Sequence, residues 1–575
     1  MMIKVGIYSA KVCLGKKIAL LNWRKTGKKI ANSCKGLPLS ITVIGGLLSR
    51  YKQSGQYWEY ILENLNPILN SEGNEHCLKI LSMNYKELPV HLKPCFLYMG
   101  IFDEDREISI SWLIKLWIAE GFLKPIGGKS LEMVAEEYLK DLVDRNLIQG
   151  HKRGSNGEIN LCKIHDLLRD LCLRECGKDR FLCDTRNYSN LDIITQRRII
   201  LHQDTRGRDI DALQSASLAR SLICDSVGQA GFVPLDFRLL RVLKAYDNVL
   251  RSQSTYLDTS PFHLVNLRFL AVDDSCIKFP SSFHLLWNLQ TLYVYRYGDV
   301  VTAPPEIWKM PLLRHVKFEG LQLPDPPGGD DDLVVLENLQ ALLTVMNFNC
   351  SEEVVKRIPN IKKLGIEYNV RGDESSYCLD NLVRLHKLES LSCQLSYKNM
   401  SGMISYVARK LILPLSLKKL TLRHTKLHWE DMGTKIGSLP HLQVLKLYND
   451  SFLGPKWETV DGQFSSLKYL LIHDNGNGLE GWTWITDSTH FPCLESLVLR
   501  YVKKLKDMPL AIGDISTLQY IELRACSMSL VISARKVLEE QEELGNVGIQ
   551  VRVKSWNVEE SILEMASSNF HVEAL

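Results

Sequence analysis

The chain has 575 residues, 45% of them hydrophobic and 24% charged, with 70 basic side chains against 66 acidic ones. That length and apolar content suffice for several packed cores and exclude a disordered chain, while a net charge of +4 lacks the clustered basic excess of a nucleic-acid binder. Fifteen cysteines, an odd number without a CxxC pair, point to neither a disulfide framework nor a four-cysteine zinc site and fit a reducing compartment. Residues 1–20 are interrupted by Lys4, Lys11, Lys16 and Lys17. No later window reaches the roughly 18 uncharged apolar residues of a membrane span, so neither secretion nor a spanning helix is expected.

In chain order, residues 26–40 read as a helix broken at Gly36-Leu37-Pro38 and resumed as an apolar helix over Ile41 to Leu48. Pro38 suits the first turn of that second helix, where a missing N–H costs nothing. Within Asn84 to Phe102, Cys95-Phe96-Leu97-Tyr98 is expected in a core. Trp112 to Gly121 predicts an amphipathic helix stopping at glycine, with Trp112 and Trp117 about 140° apart and so flanking its apolar stripe. Gly128-Lys129-Ser130 imitates the end of a phosphate-binding loop, but Leu123 stands where GxxxxGK[ST] needs its first glycine, so the segment reads as a turn. Tyr138 to Ile148 predicts a further helix and turn, and Ile159 to Cys162 a strand leading into Ile164-His165-Asp166. Ile164, Leu167, Leu168, Leu171 and Cys172 are helically spaced, so His165 and Asp166 stand where an amphipathic helix begins. Cys162, Cys172 and Cys176, close to His165 in sequence, are read as packed thiols rather than a metal cluster.

Past residue 190 the pattern changes. Leu240-Arg-Val-Leu243-Lys-Ala245, Leu267-Arg-Phe-Leu270-Ala-Val272 and Leu289-Gln-Thr-Leu292-Tyr-Val294 follow one rule, LxxLxL, and twelve copies run to Leu518/Ile521/Leu523 at spacings of 22 to 29 residues. This is a leucine-rich repeat array. The second and third apolar positions alternate as a short strand requires and point into a shared core, while Thr291, Tyr293, Lys419, Thr421 and Lys446 point outward. Asn266, Asn288 and Asn338 recur just upstream of the strands. Ala219 to Cys224 predicts a degenerate first repeat, Pro324 to Asp332 a solvated loop, and Ser533 to Leu544 a closing helix followed by a tail. No acid, base and nucleophile are grouped on the outward face, so the array reads as a binding module and the chain as no enzyme.

With these motifs in hand, the sequence resembles the plant intracellular NLR immune receptors, which join a nucleotide-binding NB-ARC region to leucine-rich repeats. Gly36-Leu37-Pro38-Leu39 is similar to their GLPL motif, Cys95 to Tyr98 with Phe102 to their CFLY stretch, and Ile164-His165-Asp166 to their MHD motif with Ile in place of Met. Ile307 to Met310, Leu447 to Trp457 and Ile512 to Ile515 are similar to the late-blight-resistance-like subgroup of coiled-coil receptors. The resemblance covers about residues 25–553.

The resemblance implies an α/β multidomain fold, the C-terminal half of an NB-ARC region followed by a repeat solenoid. The expected division is 1–24 unmatched, 25–80 a helical subdomain with the GLPL motif, 81–190 a winged helix ending in the MHD-like motif, 191–530 the repeats, and 531–575 a cap helix and tail. It implies that Pro38 lines the adenine side of an ADP/ATP site and that His165 contacts the β-phosphate of ADP, with Asp166 supporting the turn. The coiled coil, Walker A loop and Walker B strand of the family have no match here, so the site is expected to be partial and occupancy by ADP or ATP is carried by the intact family. The expected function is that of a cytoplasmic innate immune receptor, or a truncated form of one, recognising a pathogen effector or a guarded host protein through its repeats. Oligomerisation is not expected without the N-terminal half. The other reading is a leucine-rich repeat adaptor without nucleotide binding, such as a ubiquitin-ligase substrate receptor.

Overall fold

The computed structural model describes residues 23–50, 55–65, 73–154, 157–186, 193–202, 213, 215–224, 237–246, 263–273, 279, 281–295, 300–327, 334–369, 377–395, 410–460, 462–474, 479–484, 490–546, 548–556 and 563–575. The opening residues 1–22 and the acidic end of the Pro324 to Asp332 loop lie outside them. The chain divides into two compact units, Met1–Val272 and Asp273–Leu575.

The first unit begins with four helices, α1 (Trp23–Ser33), α2 (Pro38–Arg50), α3 (Gly55–Leu65) and α4 (Gly73–Lys86). Ile30, Ile44, Leu47, Trp58, Ile61 and Ile80 form their shared core. The break between α1 and α2 is made by Gly36, whose φ of 76° is open to glycine at no steric cost. The polar ties are internal: Asn84 donates its amide to the Val43 carbonyl at 2.9 Å, and His76 Nε2 meets the Ser33 carbonyl at 2.8 Å.

A five-residue helix α5 (Lys93–Leu97) leads into β1 (Ile108–Ser109), α6 (Ile110–Glu120), α7 (Leu131–Asp144), β2 (Gln149–Arg153), β3 (Ile159–Lys163) and α8 (Asp166–Asp179). The strands form a small antiparallel sheet in the order β1-β3-β2, with Ile108 opposite Cys162, and helices plus sheet make a winged helix. Cys95, Phe96, Leu97 and Tyr98 are all buried, as their apolar run predicts. Trp117 is fully buried rather than at the edge of the stripe, and half-buried Trp112 sets its ring edge-on to Phe269 at 4.9 Å. Helix α2 reaches α7 through Gly46, where any Cβ would come within 2.5 Å of the Arg145 carbonyl oxygen. The same unit continues as repeat strands β4 (Cys183–Asp184), β5 (Arg198–Leu201), β6 (Ser221–Cys224), β7 (Val242–Tyr246) and β8 (Phe269–Asp273), with β4 through β7 pairing in parallel. The degenerate first repeat predicted at Ala219 to Cys224 is therefore preceded by two further strands, whose short apolar runs lack the leucine spacing.

The second unit carries β9 (Thr291–Tyr295), β10 (Val301–Thr302), β11 (His315–Gln322), β12 (Ala341–Met346), helix α9 (Glu352–Arg357), β13 (Lys363–Tyr368), β14 (Ser390–Leu395) and β15 (Lys419–Arg423). It continues through β16 (Leu427–His428), β17 (Val444–Tyr448), β18 (Phe452–Leu453), β19 (Lys456–Thr459), β20 (Tyr469–His473), β21 (Gly481–Trp484), β22 (Ser496–Arg500) and β23 (Tyr520–Arg524), and closes with helix α10 (Met528–Glu543), β24 (Gln550–Ser555) and β25 (Phe570–Ala574). Strands β9, β11 to β15, β17, β20 and β22 to β25 pair in parallel, one per repeat. The leucines of the motif are buried, and Leu292, Leu420, Leu445, Leu470 and Leu497 are at 0% exposure. The asparagines ahead of the strands tie one repeat to the previous one: Asn338 donates to the Pro311 carbonyl and Asn360 to that of Glu337, at 2.9 and 2.8 Å.

The sequence after α10 is not a ragged tail. Strands β24 and β25 extend the parallel sheet on alternating Val551, Val553 and Phe570, an alternation without the leucine spacing that marks the other repeats. On the flank, β16 pairs β18 and β19 pairs β21, lining up Phe452, Trp429, Trp457 and Trp482 with ring centroids 4.8 to 5.2 Å apart.

Candidate functional site: a capped histidine, a buried ion pair and an open repeat face

Pro38 opens α2 and is exposed, following the Gly36 turn. His165 is half-buried and is the residue that caps α8: its backbone is extended, and its ring Nδ1 accepts the Leu167 N–H at 3.3 Å, in place of the Ser or Asp usual there. Ile164 is buried and Asp166 exposed in the first helical turn, where its charge suits the helix dipole. Among the described residues no hydrogen bond or ion pair joins Pro38 to His165; α4 packs against both α2 and α8 and so lies between them.

The cysteines near His165 are packing groups. Cys172 and Cys176 donate their thiols to the Phe96 and Leu97 carbonyls at 3.3 and 3.7 Å, fastening α8 to the end of α5. Burial pushes the Cys162 thiol up to about 12, and among the described residues no group of His, Cys, Asp or Glu is placed to hold a metal. Gly128-Lys129-Ser130 is a turn: Ser130 caps α7 by accepting the Met133 N–H, and Lys129 pairs with Glu137 at 2.6 Å.

Two buried charge clusters sit where the winged helix meets the repeat strands of the same unit. Glu120, at the end of α6, has 1% of its side chain exposed and accepts from Arg198 Nε of β5 at 2.8 Å and from the Ser221 hydroxyl of β6. The Arg198 guanidinium also lies over the Phe181 and Phe122 rings, at 4.2 and 5.0 Å. Burial, and after it the charge of Glu120, push the Tyr98 hydroxyl well above its ordinary range. Asp184 of β4 is fully buried and bound by Arg186 at 2.7 Å and His202 at 3.0 Å. Burial alone would raise its pKa, but the hydrogen bonds from His202 and Arg186 outweigh it and hold the carboxyl well below the usual carboxylate range. Arg169 of α8 joins this cluster from 3.5 Å and donates to the Phe102 carbonyl at 2.6 Å. The only sequence signal for these clusters is a charge closing an apolar run, as in Ile118-Ala119-Glu120, or opening one, as in Arg198-Ile199-Ile200-Leu201.

The second unit presents a different site. From β15 to β24 the strands are in register, so that Arg423, Tyr448, His473, Arg500, Arg524 and Lys554 form one outward row across the sheet. A parallel row holds Thr421, Lys446, Leu471, Val498, Glu522 and Arg552. Arg423 lies 3.8 Å from the centroid of the Tyr448 ring, and Lys446 lies 5.2 Å from that of Tyr469. Beside the row, Trp429, Leu447, Tyr448, Phe452, Ile472 and His473 line a shallow cavity that also bears Asp450 and Asp474. The surface offers charge, ring edges and hydrogen-bond donors.

A protein-family model described as a disease resistance protein winged helix domain matches residues 101–172, and one described as a leucine-rich repeat region matches residues 219–547. The latter spans more than half of the chain, which therefore belongs to the leucine-rich repeat family. More narrowly, it is NLR-like, similar to plant disease resistance proteins of the late blight resistance kind. It is 31% identical to a late blight resistance protein homolog of Solanum demissum over 90% of this chain and 41% of the relative. To late blight resistance protein R1-A of the same species it is 30% identical, over 90% and 41%. The chain thus spans less than half the length of the curated relatives it matches. Among solved structures, a leucine-rich repeat protein of Leptospira interrogans aligns at a TM-score of 0.29 and 15% identity, covering 59% of this chain and 97% of that one. The plant peptide hormone receptor RGFR1 in complex with RGF2 aligns at 0.32 and 13%, covering 66% and 68%. No described helix is long and apolar enough to cross a membrane.

Proposed function

We propose that the chain works inside the plant cell as the sensing part of a disease-resistance receptor, with the outward face of its repeats recognising a pathogen effector or a host protein that effectors target. The observation that carries this reading is the joining, in one chain related to late blight resistance proteins, of a disease-resistance winged helix to a repeat array whose outward face bears charged and aromatic side chains partly open to solvent. The output is binding and release, with no bond made or broken.

In the same reading Pro38 and His165 are this chain's share of an ADP/ATP switch. His165 fits such a role: with Nδ1 accepting the Leu167 N–H, the proton of the neutral ring is on Nε2, available to donate to a phosphate oxygen. The 575 residues contain no GxxxxGK[ST] run to supply the main-chain N–H cradle for phosphates. By itself, then, this chain retains no nucleotide, and Pro38 and His165 act only beside a P-loop supplied in addition to these residues.

The test is genetic. Plants lacking the gene are challenged with a panel of pathogen isolates, expecting increased growth of at least one isolate and restoration of resistance by the wild-type gene but not by one deleted for residues 219–547. Unchanged growth of every isolate, or rescue by the repeat-deleted gene, overturns the reading.

A further inference from the structure

We propose that the outward face of β15 to β24 is the docking surface for an acidic segment of another protein, held in extended form across the strands. This inference rests on the receptor reading above and gives the partner a chemistry.

The face is basic beyond what the fold asks of it. Its rows carry Lys419, Arg423, Lys446, Arg500, Arg524, Arg552 and Lys554, set against Glu522 and, from β25, Glu573. Glu522 is engaged by Arg500 at 2.9 Å, and Glu573 by Lys554 at 3.0 Å and Arg552 at 3.4 Å. That leaves Lys419, Arg423, Lys446 and Arg524 without a carboxylate within ion-pair distance among the described residues. Arg524 also keeps its Nε buried with no acceptor. Such crowding works against stability: burial, and then the charges of Lys419, Arg500 and Arg423, pull Lys446 down to about 8. Any polar residue serves at an outward strand position, as Ser392 and Gln394 show on β14. Four cations left over at positions with that freedom are explained by an anionic ligand that completes the charge balance.

The dimensions and the ring geometry specify the ligand. From β15 to β24 the row crosses five strand spacings of roughly 4.8 Å, about 24 Å, the length of an extended peptide of about seven residues. Single-stranded nucleic acid would need open aromatic faces on which to stack its bases. Here one face of Tyr448 is covered by Arg423 and Lys446 lies over Tyr469, so the surface offers guanidinium and ammonium edges with tyrosine hydroxyls rather than stacking platforms. Carboxylates need only those edges, and guanidinium receives them through paired N–H donors.

The experiment uses the purified full chain and a fluorescein-labelled peptide, (Glu-Asp-Ala)4, followed by fluorescence anisotropy at 50 and 500 mM NaCl. Binding is expected at low salt, weakened at least tenfold by R423E/K446E/R524E and no more than twofold by K503E/K506E/K536E, which makes the same charge change elsewhere. The neutral variant R423Q/K446Q/R524Q, with far-UV circular dichroism matching wild type, separates lost recognition from lost folding and is expected to weaken binding as well. Equal weakening by the two charge-reversal variants, no binding at 50 mM NaCl, or tighter binding of a twelve-nucleotide oligo-dT than of the peptide each overturns the proposal. A resistance gene that still protects plants when it carries R423Q/K446Q/R524Q also overturns the docking surface while leaving the receptor reading intact, whereas failure of the wild-type gene to protect overturns the receptor reading itself.

Discussion

In the first unit the outward residues of the repeat strands are covered by the winged helix: α6 places Glu120 on Arg198 and Ser221, and Trp112 on Phe269. In the second unit the equivalent residues of β15 to β24, such as Lys446, Tyr448 and Arg500, stay partly open to solvent. One backbone rule therefore serves two purposes. Where a repeat face meets the chain's own helix, its central charges, Glu120 and Arg198, are buried and paired; where it meets solvent, several cations have no carboxylate partner among the described residues. The difference shows that an unpaired cation on a repeat strand is a choice of sequence and not a property of the strand.

This contrast can be broken first at the covered face. Glu120→Ala leaves Arg198 buried without its counter-charge and is expected to destabilise the protein by about 3–5 kcal/mol, read from the urea midpoint at unchanged slope; a loss below 1 kcal/mol would show that water reaches the pair. Next, Asp184→Asn is expected to lose about 1.5–3 kcal/mol at pH 7. Its carboxyl is depressed in the folded state, so its contribution is present above the unfolded value near ~3.9 and is lost as pH falls below it. The stability difference between wild type and Asp184→Asn should therefore shrink as pH drops from about 5 toward 2, and a difference that grows there would contradict the assignment.

Smaller effects sharpen the comparison. His165→Ala removes the cap of α8 and should cost about 1 kcal/mol, recovered by His165→Ser, while retention of radiolabelled ADP on gel filtration stays at background for all three proteins. ADP held by wild type and released by His165→Ala would mean that this chain completes a nucleotide site unaided. Smallest is Lys446→Gln on the open face, expected to shift stability by no more than about 0.5 kcal/mol, in the stabilising direction because it relieves repulsion from Lys419, Arg500 and Arg423. A destabilisation above 1 kcal/mol would show that Lys446 is structural.

What was legible in the sequence was whatever repeats or punctuates. LxxLxL placed the repeat strands β7 to β9, β11 to β15, β17, β20, β22 and β23 but not the flank strands β10, β16, β18, β19 and β21; Gly36-Leu37-Pro38 placed the α1–α2 break, and the apolar spacing after Ile164 placed α8. Strands without the leucine rule were not visible: β4 and β5 precede it, and β24 and β25 follow α10 on valine and phenylalanine alternation. The buried clusters were hidden for another reason. Glu120 and Arg198 lie 78 positions apart, and a pair at that distance has no local signature. For His165 the sequence left open whether it begins a helix or faces a ligand, and in the structure its ring Nδ1 caps α8.

The tryptophan column on the flank has an optical consequence. Trp457 stacks between Trp429 and Trp482 with ring planes tilted by only 16° and 9°. Indole transition dipoles that near exchange excitation, and where their in-plane directions differ from ring to ring circular dichroism should show a split indole band that a solitary tryptophan does not give. Since β16, β19 and β21 belong to successive repeats, the amplitude of that band reports the stacking of one repeat on the next, and the protein carries its own gauge of solenoid continuity without a label.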